Sequence, residues 1–353
     1  MRTSRWMTAL LLALPAAACA QQAQTSAGGS GSPMVQVTTN EAARRVDVTV
    51  DGRPFTSYLY PTNLEKPVLY PLRSESGKLV TRGWPLDPRP NERVDHPHHI
   101  GLWFNYGDVN GLDFWNNSSD IAAAQKPKMG TIVHREIRDT DSGRGEGALE
   151  VSMDWVDHTG KVLLREETRF VFHASQGMRG IDRVTKLTAV NGPVSMTDNK
   201  EGVLGMRVAR QLEAPATQAE MFTDASGRRT EVAVLSNEGV NGKYFTSEGI
   251  EGDAVWGTRG RWAALGGVLD GEPVTLAILD HPSNVGFPTY WHARGYGLFA
   301  ANPLGQAALS NNKEKLDFKL AAGQSTTFRH RILILTGPQQ PARMEQLYKE
   351  WAQ

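Results

Sequence analysis

Three of the nine histidines in this chain fall within four positions, in Asp95-His96-Pro97-His98-His99-Ile100-Gly101-Leu102-Trp103. Imidazole takes and gives protons near neutrality and ligates metals through either ring nitrogen. The proline after His96 favours an extended backbone there. A strand continuing through the segment would place His96 and His98 on one face and His99 on the other. Two imidazoles so spaced suit one divalent metal, with a third ligand from elsewhere, or a shared proton transfer. Polar histidines at a sheet edge would have the same composition.

A second cluster, Asp198-Asn199-Lys200-Glu201-Gly202-Val203-Leu204-Gly205-Met206-Arg207, interleaves charges with glycines and does not fit a purely buried strand. Lys200 and Arg207 suit a carboxylate ligand, or would hold Glu201 ionised as a base. His98 or His292 would then complete the proton transfer as the acid. A solvated hairpin, with Glu201 in a structural pair with Arg207, reads the same way. The third cluster is Asp280-His281-Pro282-Ser283-Asn284, followed by Tyr290-Trp291-His292-Ala293-Arg294 and Ala301-Asn302-Pro303-Leu304-Gly305. Asp280, His281, Arg294 and Asn302 are candidate substrate contacts, and Arg294 and Lys200 would orient a substrate or steady an oxyanion.

Between the first two clusters, Tyr106-Gly107-Asp108-Val109-Asn110-Gly111-Leu112-Asp113-Phe114-Trp115-Asn116 joins turn formers to aromatics. The EF-hand spacing and its final Glu are absent, which argues against calcium. A loop bringing Trp103 and Trp115 to a cleft would suit a sugar ring, which stacks its C–H faces and hydrogen-bonds its hydroxyls. Core tryptophans of a large β protein are the competing reading. G-x-S-x-G, H-E-x-x-H, Walker and Rossmann patterns are all missing, which lowers the serine hydrolase, zinc protease, nucleotide and NAD readings together.

Short alternating runs separated by turn residues must position these groups. Leu149, Val151, Met153 and Trp155 alternate with Glu150, Ser152 and Asp154, and Thr168, Phe170 and Phe172 return on one face after the turn Asp157–Gly160. Further strands fall at Val35–Thr39, Val46–Val50, Ile181–Val190, Val274–Leu279, Leu316–Leu320 and Thr327–Leu335. Only Ala342–Trp351 has helical spacing. The expected fold is all-β, a large antiparallel β-sandwich with a short C-terminal helix, forming a single domain over residues 34–353.

The 353 residues carry 38 Lys+Arg against 38 Asp+Glu, a balance without the basic footprint that nucleic acid requires. One cysteine excludes a disulfide framework and a multi-thiolate metal site. Arg2 and Arg5 precede an apolar run ending Leu14-Pro15-Ala16-Ala17-Ala18-Cys19, so residues 1–18 read as an export signal ending at a lipoprotein-type site. Cleavage after Ala18-Cys19-Ala20 is the alternative, and either exports the chain to the periplasm or, lipid-anchored, to the outer membrane. Residues 19–33 then form a flexible tether. A possible lipid anchor is the only expected membrane contact.

Tyr70-Pro71-Leu72, Thr81 to Pro88, Asp95 to Asn105, Lys200-Glu201-Gly202, Asp280 to Asn284 and Asn302-Pro303-Leu304-Gly305 resemble a family of exported bacterial proteins called "methane oxygenase PmoA-like". Its members look like polysaccharide-utilisation proteins related to the galactose-mutarotase-like β-sandwiches, in which histidines and a glutamate act on sugars. The resemblance thus implies a carbohydrate ligand and acid–base chemistry such as hydrolysis, elimination or epimerisation. Two rivals remain: a non-catalytic carbohydrate-binding protein, and a metal-dependent enzyme using His96 and His98. A literal oxygenase ranks last.

Overall fold

The computed structural model describes Met1 and residues 31–353. The export segment, Cys19 and most of the tether lie outside the described residues. Ser32–Gln353 form one compact unit.

Eighteen strands follow in chain order: β1 (Met34–Asn40), β2 (Arg45–Val50), β3 (Arg53–Leu59), β4 (Val68–Leu69), β5 (Leu102–Tyr106), β6 (Thr131–Arg144), β7 (Glu146–Val156), β8 (Val162–Ser175) and β9 (Met178–Ala189). Then come β10 (Val194–Met196), β11 (Gly202–Arg207), β12 (Lys243–Thr246), β13 (Trp262–Leu269), β14 (Glu272–Asp280), β15 (Tyr290–Arg294), β16 (Leu298–Asn302), β17 (Phe318–Leu320) and β18 (Ser325–Thr336). Two α-helices, α1 (Gln306–Leu309) and α2 (Pro341–Trp351), and three short 3-10 helices (Ala123–Lys128, Arg210–Leu212 and Gly252–Val255) complete the regular structure among the described residues.

Sixteen strands make one antiparallel sheet in the order β12-β13-β14-β18-β9-β8-β7-β6-β1-β2-β3-β4-β5-β11-β16-β15, while β10 pairs with β17. The long hairpins β6–β9 follow from strict alternation: in β8, Leu164, Phe170 and Phe172 are buried while Arg165 and Arg169 point out. Only two residue pairs join β1 to β6, so the sheet folds back on itself there. Phe104 on β5 accordingly packs on Phe328 of β18 and Trp155 of β7, at ring separations of 5.6 and 6.3 Å. The result is a sandwich with one main core drawn from both halves. Each large apolar side chain sealed there contributes roughly 1.5–3 kcal/mol. Helix α2 covers the outer face of β13, β14 and β18 with Met344 and Tyr348.

One local expectation fails. Gly202–Arg207 is a fully buried central strand, although the cluster's charges were expected to exclude one, and the alternative of a solvated hairpin does not hold there either. Its charge is tolerated because Arg207 meets a carboxylate from another loop, as described next.

Candidate functional site

The floor of the site is the side of β5-β11-β16-β15 that faces away from the main core. Trp103 pairs with Gly205, Gly205 with Ala300, and Ala300 with His292, so these four share one face. Arg207, Leu298 and Arg294 form the next row on that face. The alternate residues Phe104, Leu204, Ala301 and Trp291 fill the core behind. Glycine is required at 205: a Cβ there would lie 2.5 Å from Trp103 and 2.9 Å from Trp115.

The histidine loop crosses this floor and is clamped by a buried arginine. Arg82 donates from Nη1 to the backbone oxygen of Asp95 (2.9 Å) and from Nη2 to those of His96 (3.0 Å) and His99 (3.2 Å). The amide of His99 bonds the His96 carbonyl, making a turn in which His96 has φ 44°. The extended backbone expected before Pro97 is therefore corrected: these tertiary bonds override the local preference, and His96 and His98 do not alternate along a strand. His96 instead stacks on His99 (4.8 Å) and on Tyr296 (5.1 Å), and His99 stacks on Trp103 (5.1 Å).

Asp95 anchors the loop electrostatically. Its Oδ1 accepts from Arg82 and from Arg207, the latter at 2.6 Å, and its Oδ2 lies 2.9 Å from His96 Nδ1. Burial pushes the Asp95 carboxyl up, but Arg207, the His96 hydrogen bond and Arg82 together hold it well below the usual carboxylate range. An ionised carboxylate only accepts, so the Nδ1 of His96 carries a proton, and in the neutral ring Nε2 is then the free acceptor. Arg207 likewise donates to His99 Nδ1 at 3.3 Å, and burial holds His99 neutral.

Lys200 and Glu201 enter from the loop before β11. Glu201 pairs with Lys200 at 2.9 Å, and its other oxygen is 3.7 Å from His292 Nδ1. The expected pairing of Glu201 with Arg207 is corrected, because Asp95 takes that arginine. Of the two histidines proposed as partners for Glu201, His292 is the one in contact. Burial, with Lys200 and Arg294 nearby, pushes His292 down to about 3. Such surroundings favour the neutral ring over the imidazolium.

An open cleft of about 550 Å³ adjoins this floor. Asp95, His96, Arg294, Tyr296 and Trp256 line it with Arg93, Glu220 and Asp253. Arg93 is neutralised by Glu213 (2.7 Å) and Glu220 (3.2 Å). The guanidinium of Arg294 sits 5.5 Å from the Trp256 ring and 5.8 Å from Tyr296. Arg82, Asp95, Tyr296 and Trp256 were not assigned roles from sequence. Arg82 and Asp95 stood inside quoted motifs, but nothing in the local pattern marked Tyr296 or Trp256.

Several expected contacts serve structure instead. Trp103 and Trp115 are fully buried and offer no face to a ligand, because His99 and neighbouring apolar groups cover them. Asn302 is buried and fastens the loop before β11 by donating to the Asn199 carbonyl at 2.8 Å. Asp280 accepts from Asn284 (2.7 Å) and the Thr289 amide (2.9 Å), which fixes the turn after β14, and His281 packs on Trp351 of α2. Neither lines the cleft. His98 turns to the other side of its loop, where its carbonyl accepts from the buried Lys66 at 2.8 Å. Burial and Lys66 push its ring down to about 2. No group of three or more His, Cys, Asp or Glu among the described residues is arranged to hold a metal.

Residues 45–349 match the profile of DUF6807, a family of unknown function, and the chain belongs to that family. No curated protein matches it. Among solved structures it is similar to a galactose mutarotase-like protein from Clostridium acetobutylicum, with 10% identity over 87% of this chain and 99% of that one and a TM-score of 0.40. A GH36 α-galactosidase from Geobacillus stearothermophilus aligns with 86% of this chain and 41% of its own, at 9% identity and a TM-score of 0.40. The α-galactosidase of Lactobacillus brevis aligns with 86% and 40%, again at 9% identity and 0.40. The chain spans about two fifths of the length of these α-galactosidases.

Proposed function

We propose that this protein acts on a sugar or glycoside by acid–base chemistry in the 550 Å³ cleft, with His96 as the proton-transfer group. The observation that carries the reading is the 2.9 Å contact between Asp95 and His96 Nδ1 at the cleft wall. A carboxylate behind an imidazole fixes its tautomer and steadies the imidazolium formed when Nε2 takes a proton. The half-buried Trp256 supplies an aromatic face for a sugar ring, in place of the sealed Trp103 and Trp115, while Tyr296 is already stacked by His96 and approached by Arg207. Glu201, 14% exposed and braced by Lys200 and His292, stands beside the cleft and not in its wall, and is the second proton-transfer group of this reading.

A protein that only binds sugar would need the aromatic faces but not an imidazole oriented by a carboxylate that two buried arginines keep ionised. That arrangement favours an enzyme. The reading includes the exported location expected from residues 1–18, and treats the PmoA-like resemblance as the mark of an exported carbohydrate-active family and not of an oxygenase subunit. The test is a panel of mono- and oligosaccharides followed by proton NMR with the purified protein. Protein-dependent change at a ring proton or glycosidic bond of any sugar supports the reading, and an inert panel with no saturable binding refutes it.

A further inference from the structure

Arg294 is the one cation of the cleft wall that no carboxylate neutralises among the described residues. Arg93 is paired with Glu213 and Glu220, and Arg82 and Arg207, behind the wall, share Asp95. Arg294 is exposed and makes no ion pair of 4 Å or less, and its guanidinium is packed against Trp256 and Tyr296 instead. Holding a long cationic side chain against two rings at the mouth of a cleft, without an acidic partner, leaves its donor fork available for a planar anion. Tyr296 is also the ring on which His96 stacks, so the arginine and the imidazole flank one locus in the cleft. Asp253 lines the same cleft without an ion-pair partner among the described residues and suits hydroxyl donors.

Resting on the acid–base reading above, we propose that the substrate is a 4-linked uronate, whose carboxylate is held by Arg294 and whose C5 proton is taken by His96 Nε2. The carboxylate makes C5 the most acidic ring carbon, and Arg294 neutralises the charge that spreads onto its oxygens as that proton leaves. The C5–H electron pair becomes a C4=C5 double bond. The C4–O bond breaks with its electrons, the departing oxygen takes a proton from water, and the imidazolium returns its proton to solvent. No oxidant or reductant is needed. The carboxylate behind His96 stabilises the imidazolium that this step creates.

The test compares a 4-linked oligogalacturonate with a neutral galacto-oligosaccharide of equal length, using the full chain. Binding of the uronate is expected to be at least about tenfold tighter, since charge-assisted bonds to a guanidinium carry that discrimination. Arg294→Gln should erase the preference, Arg294→Lys should restore part of it, and the wild type should generate the ultraviolet absorbance of an unsaturated uronate. Equal or better handling of the neutral oligosaccharide, unaffected by Arg294→Gln, would overturn this inference and leave the acid–base reading standing. Failure of both sugars to bind or react would also overturn this inference, while the acid–base reading falls only if the whole sugar panel is inert.

Discussion

His96 Nδ1 lies 2.9 Å from Asp95 Oδ2, while the other oxygen of that carboxylate is shared by Arg82 and Arg207. Two buried guanidiniums therefore guarantee the ionisation of the group that orients the exposed imidazole. The same arginines hold the loop backbone and the sheet floor, so the geometry of His96 is tied to the stability of the fold.

Asp95→Asn removes the charge that balances Arg82 and Arg207. Leaving buried charges unpaired typically costs about 3–5 kcal/mol, so the melting temperature should drop sharply. Arg207→Gln should cost a comparable amount, and the double variant should lose clearly less than the two losses added. Additive losses in the melting data would show that the residues act independently.

Gly205→Ala forces a methyl against Trp103 at 2.5 Å. Overpacking of this kind costs roughly 1–3 kcal/mol. Trp103 carries the stacked ring of His99, so the shift should reach the histidine loop and lower turnover as well as stability. Unchanged melting and turnover would mean that the floor is softer than its packing implies.

Mild acid should destabilise the protein. Unfolded histidines protonate as pH falls through about 6.5. Burial holds folded His292 and His330 down to about 3, and His98 to about 2, with Lys200, Arg183 and Lys66 respectively adding to the effect. The unfolded chain then binds more protons, so stability is full above the unfolded value and declines as pH drops below it. Asp280 runs the other way, because burial raises it to about 7 and its neutral form favours the fold on acidification. Three histidines outweigh one carboxyl. Melting temperatures should fall between about pH 7 and about pH 5, and a rise over that interval would contradict the assignment of neutral buried imidazoles.

Much of the fold was legible because alternation is a local signal. The β7–β8 hairpin, the turn at Asp157–Gly160 and helix α2 all sit where the pattern of apolar residues puts them. The site was legible only as clusters of unusual composition. Glu201 and His292 do meet, as do Asp95 and Arg207, but the choice of partner depends on strand order, which no local spacing encodes. Trp103 and Trp115 illustrate the same limit. An aromatic beside polar loops looks like a ligand platform until the chain covering it is known, and here His99 covers both. Tyr296 and Trp256 carried no signal because a single aromatic in a strand-rich chain is ordinary.

Cys19→Ser tests the exported, lipid-anchored expectation independently of the site. A multiply acylated N-terminus holds a protein stably on a membrane, which one chain does not. The wild type should fractionate with membranes and the variant with soluble protein. A wild type recovered in the soluble fraction would point to ordinary cleavage near the same position.

The central claim is that His96 moves the proton, and the most direct measurement is the rate of the His96→Gln variant on whichever sugar the panel identifies. Glutamine retains polarity and size but cannot take a proton, and its site is 41% exposed, so folding should survive. Turnover is predicted to fall roughly 10²–10⁴-fold, with sugar binding and melting temperature nearly unchanged. Turnover within a few-fold of wild type would contradict the account.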